Sequence, residues 1–189
     1  MMKTEPIRNP AHVQALLAHY KHQGQYRNYL LITMGIHTAL RISDILNLRC
    51  KDVYDFKTRT VYNTVTLIEK KTGKSKSIAL HQKVIDALKL HFPEAVSGAP
   101  LFCNEQTSKP ISRVQAYRII DEAARAARLP YKVSCHSLRK TFGYHAWKNG
   151  AQPALLMEIY NHSSYNITKR YLGITQDDQN AVYRSLTIS

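Results

Sequence analysis

Ser134-Cys135-His136-Ser137-Leu138-Arg139, Asn161-His162-Ser163-Ser164 and Thr168-Lys169-Arg170-Tyr171 follow one another in the last third of this 189-residue chain. The residues around them alternate between helical patterns and stops. A helix is predicted over 136–148, closed by Gly150, which can adopt the left-handed conformation that ends a helix. Pro153 pre-sets the first turn of the next, which runs to 160. Short helices are predicted over 164–172 and 177–185. A His, an Arg, a second His and a Tyr are thus set on successive short helices.

Upstream, Ser112 and Gln115 have the form of a capping box, in which each side chain satisfies the other's backbone amide. The helix they open is predicted to reach about Arg128. Val61-Tyr62-Asn63-Thr64-Val65-Thr66-Leu67-Ile68 is rich in β-branched and aromatic residues and reads as a strand. Lys71-Thr72-Gly73-Lys74 is a turn, and Ser77-Ile78-Ala79-Leu80 the returning strand. This gives a hairpin, or a three-stranded sheet if 52–54 joins it. A helix covers 81–91. Residues 93–110 read as mostly loop around an extended Leu101-Phe102-Cys103. Near the N-terminus Val13, Leu16, Leu17 and Tyr20 recur at helical spacing. Gly24 separates that helix from an apolar one over 26–38, and a third, starting near Arg41, carries Ile42, Ile45, Leu46 and Leu48. The expected fold is mainly α with a small antiparallel β-sheet (α+β).

The charge balance narrows the partner. Twenty-seven Lys and Arg against thirteen Asp and Glu leave +14 before any histidine titrates, an excess that suits a polyanion. Cys50, Cys103 and Cys135 are odd in number and form no Cys-x-x-Cys, which implies reduced thiols, a cytoplasmic protein and neither a disulfide frame nor a zinc site. No segment has the roughly twenty apolar residues of a membrane span.

Breaking a phosphodiester by transesterification needs an attacking group, cations for the charge that builds on the phosphate, and groups that move protons. Tyr171 can attack, although a free phenol titrates near pH ~10 and needs help. Arg41 and Arg139 offer planar forks matched to two phosphate oxygens. Arg41 stands one helical turn before Asp44, with which it can also pair. His136 and Arg139 are three apart and share a helix face. His136 and His162 can donate to phosphate or carry the tyrosine proton. Lys71, at the hairpin turn, can protonate a leaving hydroxyl, and Lys70, Lys74 and Lys76 compete with it. Taken singly, one tyrosine among twelve or one histidine among nine is an ordinary core or surface residue.

Together, Arg41, the Lys71-Thr72-Gly73-Lys74 hairpin, His136-x-x-Arg139, His162 and Tyr171 resemble the tyrosine recombinase (phage integrase) family in order and spacing. The resemblance spans about residues 26–185. It implies a DNA breaking–rejoining domain that makes a 3′-phosphotyrosine intermediate and needs no cofactor or metal. Its catalytic set falls on Arg41, Lys71, His136, Arg139, His162 and Tyr171, and the Lys-Thr-Gly-Lys turn favours Lys71 over its neighbours. The implied partner is double-stranded DNA, held by a homotetramer on paired sites, with accessory DNA-bending proteins possible. The implied uses are integration, excision or inversion. A type IB topoisomerase and a catalytically idle DNA-binding regulator are the alternatives. Asn161 departs from the family, which usually has Gly there. Residues 1–25 read as an arm and first helix and 26–189 as the catalytic unit, with no separate N-terminal DNA-binding domain. The chain then resembles either the short recombinases that invert fimbrial promoters or a fragment of a longer integrase. Ala181, Val182, Tyr183 and Leu186 form an apolar stripe on the last helix. It is expected to pack on its own core or, as in the family, on a neighbouring protomer.

Overall fold

The computed structural model describes residues 4–92, 98–104 and 106–186. Asn9 caps α1 (Pro10–His22) by accepting the amide of Ala11, and Pro10 opens the helix. Val13, Leu16, Leu17 and Tyr20 form the buried face of α1. The Tyr20 hydroxyl donates to the Ile119 carbonyl, so its polar end is satisfied inside the core. Gly24 turns the chain at a φ of 68°, a conformation that suits a residue without Cβ. The next helix, α2 (Tyr26–His37), is buried continuously from Asn28 to Ile36. It is the axis of the molecule: α1, α4 and α6 pack around it. At Gly35 a Cβ would collide with Leu138, so the glycine sets how closely α6 approaches.

The third helix is shorter than the apolar spacing suggests. It makes one turn, α3 (Ile42–Ile45), with Arg41 as its extended N-cap residue. The expected long strand also divides. β1 (Tyr54–Asp55) pairs with β2 (Thr60–Val61), and β3 (Thr64–Ile68) pairs with β4 (Ser75–Ala79), both antiparallel. Two separate ladders form in place of one three-stranded sheet. The break falls at Tyr62 and Asn63. The Tyr62 amide turns back to the Val53 carbonyl while the Asn63 carbonyl takes the Leu80 amide.

His81 caps α4 (Gln82–His91). Residues 93–97 and 105 of the expected loop lie outside the described residues. Leu101 and Phe102 are buried, and the segment is pinned at both sides by Leu101 N to Leu48 O and Ile111 N to Phe102 O. The Ser112–Gln115 capping box opens α5 (Arg113–Ala126). The expected extension stops two residues early, with Arg128 in the left-handed region at φ 52°. The C-terminal helices are α6 (Cys135–Lys148), α7 (Pro153–Tyr160), α8 (Tyr165–Leu172) and α9 (Gln176–Ser185). Before α1, Ile7 is fully buried: its amide donates to Thr141 Oγ1 and its carbonyl bonds His145 on α6.

Only α9 has no buried residue among the described helices. Lys148 Nζ holds its first turn through Asp178 at 2.6 Å. Val182, Tyr183 and Leu186 stand 68%, 80% and 73% exposed, so the stripe does not pack on its own core.

Candidate active site

Arg139 is the fixed point of the site. It lies on the inner face of α6 and is 2% exposed. Its Nη1 donates to the Ala39 carbonyl, its Nη2 to the Tyr160 carbonyl at 3.0 Å, and its guanidinium lies 4.7 Å from the Tyr160 ring centre. The Tyr160 hydroxyl returns a bond to the Arg139 carbonyl at 2.8 Å. A Cβ at Gly143 would strike that hydroxyl, so glycine is what lets α7 close on α6 here. Among the described buried polar atoms, Arg139 Nε has no partner. A buried N–H without an acceptor costs free energy unless a ligand meets it.

Tyr171, on α8, stands against this arginine. Its ring centre is 4.5 Å from His162, 4.8 Å from His136 and 5.0 Å from Tyr160. Both contacts with histidine are edge-on. Arg139 lies 6.0 Å and Lys140 Nζ 5.8 Å from the ring centre. His162 stacks on Tyr160 at 5.0 Å, and its Nδ1 bonds Thr168 Oγ1 at 3.0 Å. A hydroxyl serves either histidine tautomer, so Nε2 remains available to donate or accept.

Arg41 is within electrostatic reach of His136, Arg139 and His162, but its partner is not Asp44. An N-cap residue in extended conformation (φ −74°, ψ 148°) is off the helix face, and the guanidinium swings to the hairpin. There Nη1 meets Glu69 Oε1 at 3.2 Å. Asp44 Oδ1 takes the Lys70 amide at 2.9 Å. Glu69 itself is buried and was not singled out by the sequence. Its one signal is an acid opening a lysine-rich turn. Of the hairpin lysines, Lys76 is the one drawn inward: its Nζ donates to the Ile159 carbonyl and lies 4.0 Å from Glu69. Lys71 is exposed at the turn, within electrostatic reach of His162.

Burial, reinforced by the excess of cations over acids, lowers the pKa of the bases in the pocket. Burial, then Arg139, Arg41, His136 and Lys71, lower His162 to about 4. Burial, then Lys140, Arg139 and Arg41, push His136 down as well. Burial lowers Lys76, with Arg139 and Arg41 adding to the effect against the pull of Glu69. Both histidines are therefore neutral near pH 7, and the pocket is poised to take an anion. No group of three or more His, Cys, Asp or Glu side chains is placed to hold a metal among the described residues.

The phage integrase family profile matches residues 9–177. The chain belongs to that family. A relative from Bacillus subtilis, "Probable integrase/recombinase YoeC", is 38% identical over 180 residues, covering 95% of each chain. Tyrosine recombinase XerD of Mycobacterium leprae is 28% identical over 79% of this chain and 48% of its own, so the integrase-family chain spans about half of such longer relatives. Among solved structures, XerA recombinase superposes with a TM-score of 0.78 at 19% identity, covering 98% of this chain and 68% of that one. XerH recombinase bound to its palindromic difH substrate superposes at 0.72 and 21% identity, covering 97% and 54%. At these identities the superpositions establish the shared fold. In this chain the turn before His162 is left-handed at Asn161, with φ 53° and ψ 50°. Asparagine is one of the few side chains that tolerate this conformation.

Proposed function

We propose that this chain is the catalytic unit of a site-specific DNA recombinase, cleaving and rejoining duplex DNA through a 3′-phosphotyrosine. The observation that carries the reading is the convergence of His136, Arg139, His162 and Tyr171, with Arg41 facing them, around one cationic pocket. Tyr171 Oη attacks phosphorus. Arg41 and the unpartnered edge of Arg139 receive the non-bridging oxygens as charge builds on them. Neutral His162 or His136 takes the phenolic proton, which its low pKa in the free pocket permits and the arriving phosphate favours. Lys71 gives a proton to the departing 5′-oxygen, which leaves as the hydroxyl. Bond energy stays in the phosphotyrosine, so rejoining needs no cofactor and a second 5′-hydroxyl can reverse the step.

Strand exchange between paired sites, in integration, excision or inversion, needs several protomers on DNA. The unpartnered stripe of α9 supports an assembly of copies over a monomeric topoisomerase. No described helix is long and apolar enough to cross a membrane. The test is covalent capture. The protein is mixed with nicked duplexes of randomised core sequence, denatured in SDS, and the attached strands are sequenced. A 3′-linked adduct on one recurring sequence is expected. Binding without an adduct would leave only the regulator reading, and relaxation of plasmids without a recurring sequence would favour a topoisomerase.

A further inference from the structure

Glu69 is an acid buried in a pocket of cations, and it is bonded by three separate parts of the chain. Its carboxylate takes Arg41 Nη1 at 3.2 Å, Thr72 Oγ1 at 2.8 Å and Asn161 Nδ2 at 3.3 Å, with Lys76 Nζ at 4.0 Å. Its backbone closes the hairpin turn: the carbonyl accepts the amides of Thr72 and Gly73, and the amide donates to the Lys74 carbonyl. Burial alone would raise its pKa. The bonds from Thr72 and Asn161, then the charges of Arg41 and Lys76, instead hold it below the usual carboxylate range. It is therefore an anion, and a strongly engaged one.

Each of the three hydrogen-bonding partners belongs to or adjoins a candidate catalytic group. Thr72 follows Lys71, Asn161 precedes His162, and Arg41 is itself one of the set. Lys71 is exposed and sits on a turn of a two-stranded hairpin, a kind of element that holds its shape weakly alone. The bonds to Glu69 dock that turn against the start of α3 and the end of α7. We propose that Glu69 is a positioning residue, and that its carboxylate, latched by Asn161, holds the Lys71 turn over the phosphate pocket. This rests on the cleavage reading above.

Two variants test it with little risk to folding. Glu69→Gln keeps shape and acceptor but removes the charge. Asn161→Gly keeps the left-handed turn, which glycine adopts freely, and removes only the latch. Two measurements are made on both variants and on Lys71→Ala. The first is limited trypsin digestion at the Lys70–Lys74 turn, which needs no activity; cleavage several-fold faster than in the parent is expected for both latch variants. The second is the rate of adduct formation on the captured duplex, with either oxygen or sulfur as the 5′-bridging atom. A thiol titrates near ~8.5 and leaves without a proton donor. A well-placed general acid typically contributes about a hundredfold or more, so misplacing one is expected to slow the oxygen substrate by roughly tenfold or more. The loss on the sulfur substrate is expected to be at least tenfold smaller, and Glu69→Gln should add little to Lys71→Ala. Unchanged digestion of the turn, equal losses on both substrates, or full additivity with Lys71→Ala would each overturn the proposal. If the parent itself forms no adduct, the cleavage reading fails, and the digestion alone then decides whether Glu69 holds the turn.

Discussion

A single oxygen separates Tyr171 from phenylalanine, and the proposed chemistry depends on it. Tyr171→Phe should leave the ring contacts with His136 and His162 and DNA binding intact. The covalent adduct should vanish, as read by SDS gel; an adduct that persists would place the nucleophile elsewhere. The two arginines should separate under a combined assay of rate and stability. Losing either should slow cleavage by on the order of a hundredfold or more. Arg139→Ala should also lower unfolding free energy by about 2 kcal/mol or more, because the Ala39 and Tyr160 carbonyls lose a charged donor. Urea denaturation measures the difference. His162 adds a pH term. Its folded pKa lies below its unfolded value, so the unfolded chain binds more protons between about 6.5 and about 4. The associated stability is fully present above that window and is lost as pH falls through it. His162→Gln should flatten the slope of the urea midpoint against pH over that range.

At the level of elements, the turn between α7 and α8 can be tested by stability alone. Both Asn161→Ala and Asn161→Gly lose the bond to Glu69, but alanine tolerates the left-handed region less well than glycine, so the Ala variant should be the less stable of the two by about 1 kcal/mol. Equal urea midpoints for the two would refute the strain argument. This turn also shows what the sequence can carry. Local signals held: the Ser112–Gln115 box, Pro153 as a first helical residue, and the buried stripe Val13, Leu16, Leu17, Tyr20 all stand where the residues placed them. The recombinase resemblance likewise agreed with the family and the fold. Long-range polar pairing was not legible. Glu69 reads as one acid in a basic turn, and its bond to Asn161 spans 92 positions that no periodicity connects. A pairing of Arg41 with Asp44, open from their one-turn spacing, requires a common helix face. One non-helical residue at the cap removes that face.

For the whole molecule, the exposed tail and the net charge of +14 lead to separate expectations. Deleting residues 176–189 should weaken assembly on DNA and strand exchange more than it weakens binding by one protomer, because α9 has no buried residue and meets its own body through the Lys148–Asp178 pair at its first turn. A deleted protein that recombines at the parental rate would contradict this. DNA affinity should fall steeply with salt as counterions are released, which a titration between low and physiological salt measures. The arginine at the centre of the pocket also bears on how the protein is made. Arg139 reaches back 100 residues to the Ala39 carbonyl, and Tyr171 follows it by a further stretch of chain. During translation the DNA-attracting lysines and arginines of the first half emerge long before the pocket has its clamp or its nucleophile. On the proposed reading, a chain released early would carry much of the cationic charge without Tyr171, so the capacity to cleave would come only once that residue had been made.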